Sequence, residues 1–215
     1  MTQNTSLDLD AAIRFPFKDP KWLEKIAVAA LLMLTAFGSI PVLGWVIYMQ
    51  RTLIQTGKAE LPSWDGLGDY VVAGLKYIAL ILILLIPLLL LIPLLITPAL
   101  LDNEDIAIIA ILCFQALVLA WSLIIALGIP VISAIFADTL SIRAALDPRT
   151  VWRLFAANWQ QFVGASLFAY VVSMVASFVG FLLLCVGIYF TGTISSLIMY
   201  HLYGQAYRNA TAKLA

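Results

Sequence analysis

Four long stretches of the chain contain no Asp, Glu, Lys or Arg: residues 26–50, 77–101, 106–137 and 154–207. A helix crosses the hydrocarbon core of a bilayer in about 20 residues. The second and third stretches therefore predict one long span each. The fourth is far too long for a single crossing. It predicts two helices, near 160–179 and 188–207, turning between Gly180 and Gly187. The first stretch and its flanks, 22–56, read either as one long helix or as a hairpin turning at Gly38-Ser39-Ile40-Pro41, because glycine and proline together punctuate helices.

Charge placement separates the two readings. With a hairpin, all twelve Lys and Arg fall on one side of the membrane. The charged connection on the other side, Asp102-Asn103-Glu104-Asp105, holds no base. Cytoplasmic loops are the ones enriched in Lys and Arg, so every basic residue then obeys one rule. A single first span would separate the four N-terminal bases from the other eight. The expected fold is an all-α integral membrane protein with about six membrane helical segments, two short hairpins plus two long spans, and cytoplasmic interfacial helices. Residues 1–21 form an N-terminal interfacial segment, 22–207 a single membrane domain and 208–215 a tail. Both termini are expected on the cytoplasmic side of a prokaryotic inner membrane.

Composition agrees with this class. Hydrophobic residues make up 63% of the 215 and charged ones 11%, where a soluble domain carries about 25% charged. Twelve bases balance twelve acids, which gives no reason to expect a nucleic-acid partner. Cys113 and Cys185 lie in apolar runs and read as small buried hydrophobes. The first ten residues are polar and carry Asp8 and Asp10, unlike a cleaved signal, so the first apolar segment is expected to be retained.

Two flanking segments mix aromatic and basic residues: Phe15 to Lys25, with Asp19-Pro20 and Trp22, and Leu146 to Trp159, with Asp147-Pro148 and Trp152. Asp-Pro in each reads as an N-cap followed by proline at the first helical position. Each is expected to be a cytoplasmic interfacial helix leading into a hairpin, the alternative being that each is only the first turns of the following span. The units also hint at a duplication, since one ends Tyr48-Met49-Gln50-Arg51 and the other Tyr203-Gly204-Gln205-Ala206-Tyr207-Arg208.

The loop Leu61-Pro62-Ser63-Trp64-Asp65-Gly66-Leu67-Gly68-Asp69-Tyr70, followed by Gly74-Leu75-Lys76, resembles a motif of a bacterial and archaeal membrane family known as domain of unknown function 4013. Asp19-Pro20-x-Trp22, the Gly-x-Ile-Pro turn and the segment from His201 to Arg208 resemble its other hallmarks, so that the likeness covers nearly the whole chain. The family's Gly-Tyr-x-x-Arg appears here as Ile47-Tyr48-Met49-Gln50-Arg51, without the glycine. The resemblance implies several membrane helices and no assigned activity. A more distant likeness is to the membrane domains fused to glycerophosphodiester phosphodiesterases.

Chemistry is sparse. One histidine cannot supply a zinc-peptidase ligand set, no Gly-x-Ser-x-Gly precedes a serine, and no phosphate-binding glycine loop with Lys-Ser/Thr is present. Neither a cofactor nor a metal is expected. Asp65 and Asp69, four apart at a helix start, would share a face able to hold a cation, but acids in a first helical turn more often answer the helix dipole. Asp138 stands at the edge of a membrane stretch, near the interface or paired with Arg143. His201, Gln205 and Arg208 form a polar stripe, with His201 either a protonation switch or a hydrogen-bonded structural group. These residues, with Leu61, Pro62 and Trp64, are the candidate functional or partner-contact positions.

Small residues recur every four positions at Ala165, Ala169, Ser173 and Ser177, and again at Gly187, Thr191 and Ser195. That spacing predicts a close helix seam, open to a partner subunit's helix as well. Pro87, Pro93 and Pro98 interrupt an aliphatic span, which is expected to bend and face lipid or a partner rather than form an ion site. The expected function is therefore non-catalytic: an accessory, scaffold or assembly subunit of a membrane complex. The alternative is a carrier or permeation pathway for a lipid or small hydrophobic compound.

Overall fold

The computed structural model describes residues 6–35, 37–93, 104–183 and 186–214, with side chains omitted at 104–107 and 186. Every regular element among the described residues is helical. The helices are α1 (Leu9–Arg14), α2 (Trp22–Met33), α3 (Ser39–Thr56), α4 (Leu67–Leu89), α5 (Glu104–Thr139), α6 (Ile142–Ala145), α7 (Pro148–Leu182) and α8 (Val186–Leu214). Short 3-10 turns cover Phe15–Lys18 and Trp64–Gly66. Among the described residues, three segments are long and apolar enough to cross a membrane: Trp64–Leu89, Ile108–Thr139 and Pro148–Leu182.

The predicted break in 22–56 is present. α2 ends at Met33 and α3 opens with Gly38 as its N-cap, so Pro41 sits in the first turn, where its missing N–H has no helical partner to lose. The C-terminal hairpin also turns where expected, with Gly180 packed against Ile188 and Thr191. α8 runs unbroken across residue 208, where the tail was expected to begin, and continues through Leu214. Pro98, Cys185 and Asp102-Asn103 lie outside the described residues, and of Glu104 and Asp105 only the helical backbone is described.

The two Asp-Pro sites differ. Asp147 caps α7 through the Arg149 and Thr150 N–H groups, with Pro148 at the first helical position. Asp19 instead closes a turn ahead of α2, accepting from the Lys21 N–H through its side chain at 2.8 Å and from the Trp22 N–H through its carbonyl. Pro20 is therefore outside the helix that it was expected to open. α7 breaks its helical geometry at Asn158 (φ −150°, ψ 39°), which sets off 148–157 as a piece of its own. Asn158 is held there by α8: its amide donates to the Ala206 carbonyl at 3.5 Å and its oxygen accepts from Lys213 at 2.8 Å.

The main core lies toward one end of the bundle. Trp45 and Ile47 of α3, Tyr77 and Leu80 of α4, Phe136 of α5 and Leu197 of α8 are all buried there. Away from it, α4 beyond Leu82 and α5 from Ile108 to Ile124 expose leucine and isoleucine in long succession. Cys113 belongs to this stretch and faces outward rather than into a core, because little of the chain packs on the first half of α5. α4 stays helical through Pro87. Proline deprives the Ile83 carbonyl of its helical donor, and at the next residue Trp121 Nε1 of α5 donates to the Leu84 carbonyl at 3.1 Å.

The small-residue seam is used within the chain. Ala165 and Ala169 are buried on α7, where Ala165 joins Ala12, Ile198, Leu202 and Tyr203 in a second cluster. Ser173 is half-buried and Ser177 exposed. A strict spacing of four drifts about 40° per step around a helix of 3.6 residues per turn, so Ser177 has rotated off the contact face. Gly180 takes over that role.

Candidate functional site

Two constructions at the same end of the bundle account for most of the predicted site residues. The first is a clamp built on the loop between α3 and α4. Trp45 Nε1 donates to the Pro62 carbonyl at 2.9 Å, Lys25 Nζ to the Leu61 carbonyl at 2.6 Å, and Tyr70 Oη to the Ser63 carbonyl at 2.7 Å. Trp64 returns the contact, donating from Nε1 to the Lys25 carbonyl at 3.1 Å. Its ring stacks on Trp45 with centroids 5.1 Å apart and planes 12° apart, and meets Tyr70 edge-on. Lys25 also pairs with Asp19 at 2.6 Å. Burial works to raise the Asp19 carboxyl, but the Lys25 ammonium and the Lys21 N–H outweigh it and hold that group below its ordinary value. Leu61, Pro62 and Trp64 thus fasten α2, α3 and α4 together. Asp65 and Asp69 are exposed outside this clamp.

The second construction is a polar cleft of about 500 Å³. Its walls are the N-terminal segment around α1, the residues that end α3, and the polar stripe of α8. Gly57 ends α3 in the left-handed conformation (φ 80°), its N–H closing on the Leu53 carbonyl at 2.9 Å. A glycine suits that position because any Cβ would be strained there. Here a Cβ would also lie 2.8 Å from Nη2 of Arg208. Lys58 and Glu60 continue the wall, and Lys18 stands at the rim.

His201 is buried and stacks on Phe15 with ring centroids 4.6 Å apart. Its Nδ1 lies 3.2 Å from Gln205 Nε2. Gln205 then ties down the N-terminal segment, accepting from the Asp8 N–H at 2.9 Å and donating to the Asp8 carbonyl at 3.2 Å. The Asp8 carboxylate caps α1 by accepting from the Ala11 N–H. His201, Gln205 and Arg208 therefore do form one face, and it lines a cleft. Asp138 is elsewhere: it accepts from the Tyr207 hydroxyl at 3.1 Å, while Arg143 is exposed. No group of three His, Cys, Asp or Glu side chains suited to a metal comes together among the described residues.

Two features escape a reading of the sequence. One is the part of Phe15, Lys18 and Gly57–Glu60 in the cleft, since they lie far along the chain from α8. The other is Gln50, fully buried on α3 beside Gly204, with neither amide atom hydrogen-bonded. A buried amide atom left unmatched costs about 1–3 kcal/mol. Gln50→Met, close in volume and apolar, is accordingly expected to raise stability by about that amount, read as a higher midpoint in thermal unfolding. A lower midpoint would mean that an ordered water or a ligand satisfies the amide.

Among the described residues, fold and site together define an all-helical protein with three helices of membrane-spanning length and composition and a polar cleft beside a clamped loop. No curated protein and no solved structure matches the chain, so the likeness to glycerophosphodiester phosphodiesterase membrane domains has no counterpart among them. The chain matches the family described as "Protein of unknown function (DUF4013)" over residues 27–185, and it belongs to that family. The match includes the Leu61–Pro62–Trp64 clamp. Asp19-Pro20-Trp22 and the His201 to Arg208 stripe fall outside it, so the match is shorter than the resemblance read from the motifs.

Proposed function

We propose that this chain is a multi-pass membrane module without chemistry of its own, acting as an accessory or scaffold subunit of a membrane complex. The observation that carries the reading is the use of its interior polar groups. Trp45, Trp64 and Tyr70 hold the α3–α4 loop. Tyr77 and Tyr200 bond each other at 3.0 Å, Asn209 bonds Gln161 at 2.8 Å, and Asn158 bonds α8. These groups join helices, whereas a catalytic site needs groups free to meet a substrate.

The same reading favours six membrane segments with both termini cytoplasmic. Lys25, Arg51, Lys213 and Arg208 all gather near the clamp and cleft: the first three bond the Leu61 carbonyl, the Ala137 carbonyl and Asn158, and the last lies beside Gly57. Such clustering of bases at one end fits the cytoplasmic face. At 1.5 Å per residue α2 and α3 reach only about 18 and 27 Å, so the first hairpin enters the bilayer without fully crossing it on its α2 arm.

A second reading, carriage of a lipid or hydrophobic compound, is favoured by two apolar clefts beside the Pro87 region. One, of about 290 Å³, lies among Leu84, Trp121, Trp152 and Phe155. The other, of about 490 Å³, lies among Leu88, Ala126, Tyr170 and Met199. Extraction in native lipid particles, with mass spectrometry of all that co-purifies, separates the readings. A stoichiometric protein partner is the expected result. A chain that purifies with lipid alone would overturn the accessory role in favour of carriage.

A further inference from the structure

Arg208 stands apart from the other cationic groups drawn into this end of the bundle. It is half-buried in the wall of the cleft, and it makes no side-chain hydrogen bond or ion pair among the described residues. The ion pairs found there are Arg14–Asp10 and Lys25–Asp19. Lys18 and Lys58 join Arg208 around the same space, against the carboxylates Asp8 and Glu60. One Asp8 oxygen is already committed to the cap of α1, and neither acid lies within salt-bridge distance of the three cations. The remaining polar wall, His201 and Gln205, is occupied with itself and with the Asp8 main chain. What the cleft presents is thus a half-buried guanidinium without an ion pair among the described residues, with three cations (Lys18, Lys58, Arg208) against two carboxylates (Asp8, Glu60) in its lining.

We propose that this cleft binds a phosphate group, with Arg208 as the principal contact and Lys18 and Lys58 as flanking charges. The planar guanidinium matches two phosphate oxygens at once, and a lysine supplies a point charge. The group belongs either to the headgroup of an anionic lipid or to a free phosphorylated compound. Basic pockets at the cytoplasmic ends of membrane helices suit the former, and the opening beside the exposed Lys18 and Lys58 suits the latter. Arg208 also lies at the negative end of α3, which helps to hold it in place. That contact adds no hydrogen bond to the Arg208 side chain among the described residues, and the Gly57 N–H itself closes on the Leu53 carbonyl. The inference does not depend on whether the chain is an accessory subunit or a carrier.

The test uses the full chain in lipid nanodiscs. Thermal unfolding and native mass spectrometry are recorded in pure phosphatidylcholine, in phosphatidylcholine with added inorganic phosphate, and in discs containing phosphatidic acid. A raised midpoint with phosphatidic acid alone identifies a lipid headgroup. A raised midpoint with inorganic phosphate in neutral discs identifies a free phosphorylated compound. In either case Arg208→Gln is expected to weaken the response on the order of tenfold or more, and Lys58→Gln less. Arg149→Gln removes an equal charge away from the cleft and is expected to leave it unchanged. Should Arg208→Gln fail to fold, the double variant Lys18→Gln/Lys58→Gln, at two exposed positions, carries the comparison. No midpoint shift with either probe, or an equal shift in the cleft variants and in Arg149→Gln, would overturn the site.

Discussion

Replacing Gly74 or Gly44 by alanine is expected to lower the thermal unfolding midpoint on the order of 10 °C or to prevent folding altogether. The two glycines face each other's helix where α3 crosses α4. A Cβ on Gly74 would lie 2.0 Å from the Ile40 carbonyl oxygen, and one on Gly44 would lie 1.8 Å from the Tyr70 carbonyl oxygen. Both obstacles are backbone, so no side chain can turn aside, and the helices themselves would have to separate. Overpacking a well-filled site costs about 1–3 kcal/mol and sometimes more, and a rigid backbone contact lies at the upper end. About 1 kcal/mol moves the midpoint of a protein this size by about 2–4 °C. Separation would also pull Tyr70 from Ser63 and Trp45 from Pro62, which adds the loss of the clamp. Gly68 and Gly192 provide the control. Both are helical with open space where a Cβ would go, and alanine there is expected to stabilise by up to about 1 kcal/mol through helix propensity. Equal behaviour of all four alanine variants would dismiss the close crossing.

Trp45→Ala should have the next largest effect, about 3–5 kcal/mol of stability, with a local signature as well. The ring is fully buried and holds the loop in two ways, by stacking on Trp64 and by donating to the Pro62 carbonyl. Alanine removes both and leaves a cavity under the loop. Trp45→Phe keeps an aromatic ring for Trp64 but no donor, and should lose only the hydrogen bond, about 1–2 kcal/mol with some repacking. Limited trypsin digestion reads the local effect, because Lys58 lies on the exposed side of the loop. Cleavage after Lys58 should quicken strongly in Trp45→Ala and weakly in Trp45→Phe. If the loop resisted trypsin equally in all three proteins, the tryptophan pair would not be what fastens it.

How much of this was legible in the sequence follows from the distance between partners. Hairpin turns at Gly38 and between Gly180 and Gly187, and the cap at Asp147-Pro148, rest on groups a few residues apart, and local rules capture them. The Asp19-Pro20 pair shows the limit of such rules: the same dipeptide can cap a helix or close a turn before one, and here Lys25, reaching back to Asp19, selects the turn. The His201, Gln205 and Arg208 stripe was readable as helical spacing, but its purpose was not. The wall facing it comes from α1 and from the end of α3, which no periodicity connects to α8. Asp138 offers a similar lesson, since its partner is Tyr207 rather than the nearer Arg143. The small-residue pattern misled at Ser177 because a repeat of four is not a helical repeat over a long face. The length of three apolar stretches made membrane-crossing helices readable. The shortness of α2 and α3 left the first hairpin open to either reading until charge was counted.

The bond between Gln205 and the main chain of Asp8 spans 197 residues. At about 5–20 residues per second of synthesis, the N-terminal segment waits roughly 10–40 s on the ribosome before its anchor exists. Through that interval Phe15 has no His201 to stack on and α1 has no α8 to cover. The segment therefore has no α8 to dock against while the intervening helices are being made. Closing the cleft is consequently among the last events in making the protein, and a chain truncated before α8 would have the clamp but no cleft.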